Sequence, residues 1–181
     1  MTGPGGRSIE HSMVGVRRAM PEDVDAIVDL FVTVVEEERW LGTQPPVDPA
    51  AQHARFLEEA TSDRCASLVA LVDDAVVGHA MVDMAPYGVA GLGMMVDERW
   101  RGRGVGRALV RAVIDAARDL GAHKVALQVW PHNEAARRLY LRHGFVEEGL
   151  LRRHYPRRNG QLWDAVIMGL VLDESSPGSP Y

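Results

Sequence analysis

Between Arg99 and Arg107 the chain places three glycines, Gly102, Gly104 and Gly106, among four arginines, directly after the apolar run at residues 91–96. Beyond Gly106 the apolar residues Leu109, Val110, Val113 and Ile114 recur at helical spacing, with Arg107, Arg111, Asp115 and Arg118 between them. The stretch therefore reads as a strand, a turn and a helix start. Glycine lets the backbone take positive φ and approach a ligand closely, and the unpaired N–H groups of a helix start attract an anion. The implied chemistry is binding of a phosphate-bearing molecule. Spacing excludes two familiar loops. A P-loop ends in Gly-Lys-Ser/Thr, whereas Gly106 is followed by Arg107 and Ala108. A dinucleotide G-x-G-x-x-G would need its third glycine at Arg107 or Leu109.

The elements that must position this loop can be read around it. A short strand over 14–18 precedes Met20-Pro21-Glu22-Asp23, where proline and two early carboxylates mark a helix start. That helix runs to about Glu38 on a stripe of Val24, Ile27, Val28, Phe31, Val34 and Val35. Residues 40–46 break it, and a second helix is expected from about Pro49 to Ala60. Residues 65–72 and 75–84 read as strands joined by a tight Asp73-Asp74 hairpin, and a third strand over about 88–96 leads into the glycine loop. After the long helix, Gly121 marks a stop and 124–130 is a further strand. A strand–helix–strand crossover of this kind makes a parallel pair in an otherwise antiparallel sheet, with a crevice where the two strands part. Asn133 is placed to cap a helix ending at Gly144. Two last strands, about 145–155 and 162–172, are joined through Asn159-Gly160, a strong turn signal. The fold class is α/β, with an α+β mixed sheet.

Asn133, Ala136, Leu139-Tyr140 and Gly144-Phe145 supply a second pattern downstream of Arg101-x-x-Gly104-x-Gly106. In this order the two resemble the Q/R-x-x-G-x-G/A loop and the N-x-x-A-x-x-L-Y-x-x-x-G-F signature of the GNAT N-acetyltransferases, a family that binds acetyl-CoA. The resemblance covers about residues 21–172 in element order and is strongest over 94–145. It implies the family fold: a mostly antiparallel sheet flanked by helices, with a splayed central parallel pair and acetyl-CoA wedged between its strands. It further implies that the backbone of Met94, Met95 and Val96 pairs with the pantetheine arm. Arg101, Gly102, Arg103, Gly104, Val105, Gly106 and Arg107 would form the pyrophosphate loop. Asn133 would bond the pantetheine region, and Tyr140 would point its hydroxyl at the thioester sulfur.

The reaction so implied is attack of an unprotonated amine on a thioester carbonyl, with a backbone N–H near Met95 or Val96 as an oxyanion donor. A phenol near pKa 10 facing a thiol near 8.5 makes full proton transfer from Tyr140 uphill by roughly 2 kcal/mol. The benefit of Tyr140 is then a hydrogen bond that strengthens as charge develops on sulfur. In the family branch that acetylates protein N-termini, a glutamate lies near the end of the strand preceding the Asn. The matching position here is Gln128, which accepts no proton at neutral pH. Glu38, His79 and His154 are the remaining candidates for a base, and Glu38, beside the 40–46 loop, is preferred. An amine of pKa about 8 needs little help from a base.

With 181 residues, 46% hydrophobic and 25% charged, the chain has the composition of one soluble domain with a substantial core. Residues 1–12 read as a disordered lead-in, 13–172 as the acetyltransferase domain and 173–181 as a flexible tail. No signal peptide or membrane span is visible, so a cytoplasmic protein is expected. The single Cys65 lies in an apolar run and reads as a buried thiol. A net charge of −5 argues against nucleic-acid binding. The cluster Arg152, Arg153, Arg157 and Arg158 lacks interleaved stacking aromatics beyond Tyr155. It reads as a solvated hairpin or a contact to phosphates or a second subunit, which leaves a homodimer open. The expected activity is acetyl-CoA-dependent N-acetylation of a small primary amine, an amino acid, an amino-acid-like toxin or a polyamine, without a metal. The Trp40 loop, Tyr87 and the 152–163 hairpin would bound the acceptor pocket. The alternatives are a protein N-terminal or lysine acetyltransferase and a non-catalytic acyl-CoA-binding regulatory module.

Overall fold

A computed structural model describes residues 14–172; the lead-in and tail expected at 1–12 and 173–181 lie outside the described residues. Among the described residues, seven strands form one sheet: β1 (Gly15–Arg18), β2 (Cys65–Val72), β3 (Ala75–Met84), β4 (Val89–Val96), β5 (Lys124–Val129), β6 (Val146–Pro156) and β7 (Leu162–Val171). Their order is β1-β2-β3-β4-β5-β7-β6. Four helices flank them: α1 (Val24–Glu36), α2 (Pro49–Thr61), α3 (Val105–Asp119) and α4 (Glu134–Leu141). The β2–β3 turn is the expected hairpin, with Asp73 and Asp74 at φ 48° and 63°, the left-handed pair that a two-residue turn of matching twist requires. Helix α1 follows a tight turn at Pro21–Asp23 and stops two residues short of expectation, because Glu38 takes φ 52° and turns the chain away.

Every strand pair is antiparallel except β4–β5. That parallel pair is registered only from Val89↔Lys124 to Gly91↔Ala126. Beyond it, β4 stays bonded to β3 as far as Gly78↔Val96, while β5 stays bonded to β7 as far as Val129↔Val166. The sheet therefore opens between two strands that each remain anchored on their outer side. A strand edge in the middle of a sheet is left with unpaired backbone groups, which buried chains normally satisfy.

The helices divide between the faces. Helix α3 carries the buried stripe Leu109, Val110, Val113 and Ala117 and packs with α4 residues against one face. Full burial of each of the larger residues contributes about 1.5–3 kcal/mol relative to exposure. Helices α1 and α2 pack on the other face around Ile27, Phe31, Val35, Phe56 and Val69. Strand alternation carries this division into the opening. On β4, Leu92, Met94 and Val96 pack toward the α3 face and Met95 toward the α1 face. On β5, Val125, Leu127 and Val129 belong to the α3 face, which directs Gln128 to the α1 face. Cys65 is buried as expected, and that burial pushes its thiol up to about 12. No helix among the described residues is long and apolar enough to cross a membrane.

Candidate active site

A cavity of about 1110 Å³ occupies the opening in the sheet and runs from one face to the other. On the α3 face it is lined by Gly102, Gly104, Gly106 and Arg107 of the glycine loop and by Asn133, Leu139 and Tyr140 of the α4 region. On the α1 face it is lined by Val34, Trp40, Leu41, Gly42, Gln128 and Trp130. Met94, Met95 and Val96 form the wall between them.

The loop is built as its sequence demands. Gly102 and Gly104 take φ 71° and 90°, and a Cβ at either would meet nothing within 4 Å, so conformation and not crowding requires glycine there. Gly106 is different: a Cβ would come within 3.0 Å of Leu139 Cδ2, so the glycine lets α3 and α4 approach. Gly104 is the N-cap of α3 and provides no side-chain cap. The first-turn N–H groups of α3 thus open toward the cavity with the helix dipole behind them. Arg107, Arg111, Arg138 and Arg142 line the same end. Of these, only Arg138 has an ion-pair partner among the described residues, Glu134 at 2.9 Å. Arg111, Arg138 and Arg142 were missed from sequence, although each stands four residues from another of these cations, 107 to 111 and 138 to 142, a spacing that shares a helix face.

The Arg101 side chain is committed elsewhere. Its Nε donates to the Val96 carbonyl at 3.0 Å and its two terminal nitrogens donate to Glu37 at 2.7 and 2.5 Å. Trp40 Nε1 donates to the same carboxylate at 2.6 Å. This knot ties the end of α1 to the turn before the glycine loop, and the Arg101 hydrogen bonds hold the Glu37 carboxyl below its usual range. Arg103 stands 5.4 Å over the Trp100 ring, outside the cavity lining.

Asn133 caps α4, its Oδ1 accepting from Ala136 N–H at 3.2 Å, and this leaves its side-chain NH₂ facing the cavity without a described partner. Tyr140 is 6% exposed and its ring packs 5.5 Å from that of Phe145. Its hydroxyl bonds no described residue, and burial pushes the phenol above its ordinary value. Gln128 Oε1 accepts from the Tyr155 hydroxyl at 2.5 Å, and both residues line the cavity.

No Asp or Glu lines the cavity among the described residues. Glu38 is exposed and outside the lining; its backbone carbonyl accepts from Arg157 Nη2 at 3.3 Å. His79 is buried beneath α2, Nε2 to Ser67 Oγ at 2.8 Å, and desolvation lowers it to about 4. His154 stacks edge-on against Tyr155 and is also outside the lining. Tyr87 does not bound the pocket: it is 94% exposed on the turn before β4, at the end of that strand where β4 and β5 remain paired. Arg157 is not solvated either, being 6% exposed against Trp130 and Trp163.

Residues 32–145 match the Acetyltransferase (GNAT) family model. The L-amino acid N-acetyltransferase AaaT of Escherichia coli is 32% identical over 88% of this chain and 99% of its own length. The chain belongs to the GNAT acetyltransferase family. It is an N-acetyltransferase, and acetyl-CoA is the family's cosubstrate. The ribosomal protein bS18-alanine N-acetyltransferase of Salmonella typhimurium is 32% identical over 61% of this chain and 74% of its own length. Among solved GNAT structures, a phosphinothricin acetyltransferase from Sinorhizobium meliloti in complex with acetyl-CoA superposes with a TM-score of 0.80, at 21% identity over 93% of each chain. The seven-stranded mixed sheet with one splayed parallel pair is the fold of this family.

Proposed function

We propose that this GNAT enzyme acetylates the amine of a small molecule of the amino-acid type, with acetyl-CoA entering from the α3 face and the amine from the α1 face. The observation that carries the reading is the cavity itself. It passes through the split sheet from a cationic helix start to an aromatic vestibule that holds no carboxylate among the described residues. The residues present fit acetyl-CoA: first-turn N–H groups at Val105, Gly106 and Arg107 suit the pyrophosphate, and the β4 edge that β5 releases beyond Gly91, at Met94 and the Val96 N–H, suits an amide-bearing arm. Gly102, Arg103 and Gly104 shape that loop, Arg101 holds it through Glu37, and Asn133 Nδ2, which the α4 cap leaves without a described partner, would donate to the arm.

When bound, the thioester supplies an electrophilic carbonyl. The amine nitrogen bonds to that carbonyl carbon, the C–S bond breaks, and the amine proton leaves to water. The N–H of Val96, on the β4 edge that faces away from β3, stabilises the oxyanion, whereas that of Met95 belongs to the β3 ladder through its pair with His79. Tyr140 donates to the departing sulfur; because burial raises the phenol further, its contribution is the hydrogen bond and not a completed transfer. Gln128 and Tyr155 present oxygen lone pairs that orient the amine. Glu38, exposed beside the vestibule, acts only through water, and the amine reacts as its unprotonated fraction. Similarity to an L-amino acid acetyltransferase supports an amino acid, and the lack of a lining carboxylate disfavours polyamines, whose second charge would find no partner. A peptide N-terminus is the second reading, favoured by the likeness to a ribosomal-protein-alanine acetyltransferase.

The test is thiol release from acetyl-CoA with amino acids, diamines and short peptides as separate acceptors. Release with amino acids is expected. Release with peptides or diamines alone contradicts the reading, and acetyl-CoA binding without release from any amine indicates a regulatory module.

A further inference from the structure

The turn between β6 and β7 contains a buried cation that the reaction does not use. Arg157 Nη1 donates to the carbonyls of Leu41 and Gly42 at 3.3 and 3.1 Å, and Nη2 to that of Glu38 at 3.3 Å. The guanidinium carbon lies 4.3 Å from the Trp163 ring centre and 5.9 Å from that of Trp130. No carboxylate pairs with it among the described residues, and burial lowers its pKa from the usual arginine value. A weaker outer set repeats the attachment: Arg158 N–H donates to Gln44 Oε1 at 2.8 Å, Gln44 Nε2 donates to the Pro156 carbonyl at 3.4 Å, and Arg158 Nη1 donates to the Pro45 carbonyl.

The chain between α1 and α2 has no helix or strand of its own. Carbonyls in such a segment need donors from elsewhere, and a segment without a backbone ladder opens easily unless partners hold it. Here three carbonyls converge on one planar fork. A guanidinium can span them and still stack on an indole face, whereas an ammonium offers a single point of charge. The same segment supplies Trp40, Leu41 and Gly42 to the cavity.

We infer that Arg157 is a latch for the acceptor wall: by holding the carbonyls of Glu38, Leu41 and Gly42 it fixes the Trp40–Gly42 segment as one wall of the cavity, and so sets the amine KM without touching either substrate. The inference rests on the reading of the α1 face as the acceptor side. Arg157 is a positioning residue that acts beside the Glu37–Trp40 hydrogen bond and the contact between His132 and the Arg39 carbonyl.

The full-length chain carries the test, with hydrogen exchange and steady-state kinetics on the same samples. In Arg157→Ala, exchange across residues 38–47 rises about tenfold or more and the amine KM rises about tenfold, as loss of a charge-assisted hydrogen bond would give. Exchange at 101–107 and the acetyl-CoA Kd stay within about twofold of wild type. Arg157→Lys recovers part of the amine KM. Gln44→Ala, at a half-buried site outside the core, shifts both readouts the same way by about twofold and decides the matter with Arg157→Lys if Arg157→Ala does not fold. Unchanged exchange at 38–47 overturns the latch, as does an acetyl-CoA Kd that weakens in step with the amine KM. Faster exchange with an unchanged amine KM overturns the assignment of this wall to the acceptor. If wild type acetylates no amine, the proposed function fails, and the exchange measurements still decide the latch.

Discussion

Replacing Tyr140 by Phe removes one hydroxyl and nothing else that the fold uses. The ring keeps its packing 5.5 Å from Phe145, and the hydroxyl has no described hydrogen-bond partner to strand. Stability should therefore stay within about 0.5 kcal/mol of wild type, since no buried donor or acceptor loses a mate. The cost falls on the transition state, where a hydrogen bond to a group acquiring charge contributes about 1.5–3 kcal/mol. That range corresponds to a fall in kcat of about ten- to a hundredfold. The assay is thiol release at saturating amine and acetyl-CoA, with acetyl-CoA Kd measured by calorimetry on the same variant. Burial keeps the phenol protonated beyond its ordinary range, so wild-type kcat should show no decline from Tyr140 between pH 7 and 9. An unchanged kcat, or an acetyl-CoA Kd weakened by the same factor as kcat, would refute the hydrogen-bond role.

Three further outcomes follow from the geometry. Gly104→Ala forces a Cβ onto a residue at φ 90°; a cost of about 1–2 kcal/mol in stability and a roughly tenfold weaker acetyl-CoA Kd are expected, read by thermal melting and calorimetry. Glu37→Gln frees the Arg101 guanidinium and should destabilise the fold by about 1–2 kcal/mol at pH 7. Because the Glu37 carboxyl is held below its usual value, its contribution is present above the unfolded pKa and is lost as pH falls through the lowered one, so wild type and variant should converge in acid. His79 is held neutral near 4, so its share of stability is complete above about pH 6.5 and declines toward pH 4, by roughly 3 kcal/mol at most. A His79→Gln variant whose melting temperature falls as steeply as that of wild type over that interval would contradict this.

The elements legible in the sequence were those with periodic patterns and explicit punctuation. Pro21, Asp73-Asp74, Gly121 and Asn133 each mark a boundary where the chain turns. The conformation of the glycine loop was legible for the same reason, since glycine at φ 71° and 90° answers a local demand. Long-range pairing was not legible. Nothing near Arg101 in sequence announces that Glu37, 64 positions earlier, will claim its side chain. Nor does a run of arginines beside an Asn-Gly turn distinguish Arg152, which is exposed, from Arg157, whose partners lie more than a hundred residues away. Tyr87 failed as a pocket residue because its place depends on which end of β4 opens, and that follows from the short β4–β5 register.

The central claim is that the split in the sheet brings an acetyl thioester to an amine of the amino-acid type. Purified full-length protein, incubated with acetyl-CoA and a pool of L-amino acids, should yield free CoA thiol and an N-acetyl amino acid in equal amounts, and none of the latter in the presence of excess desulfo-CoA. Thiol release without any N-acetyl amino acid, or acetyl-CoA binding with no release at all, would contradict it.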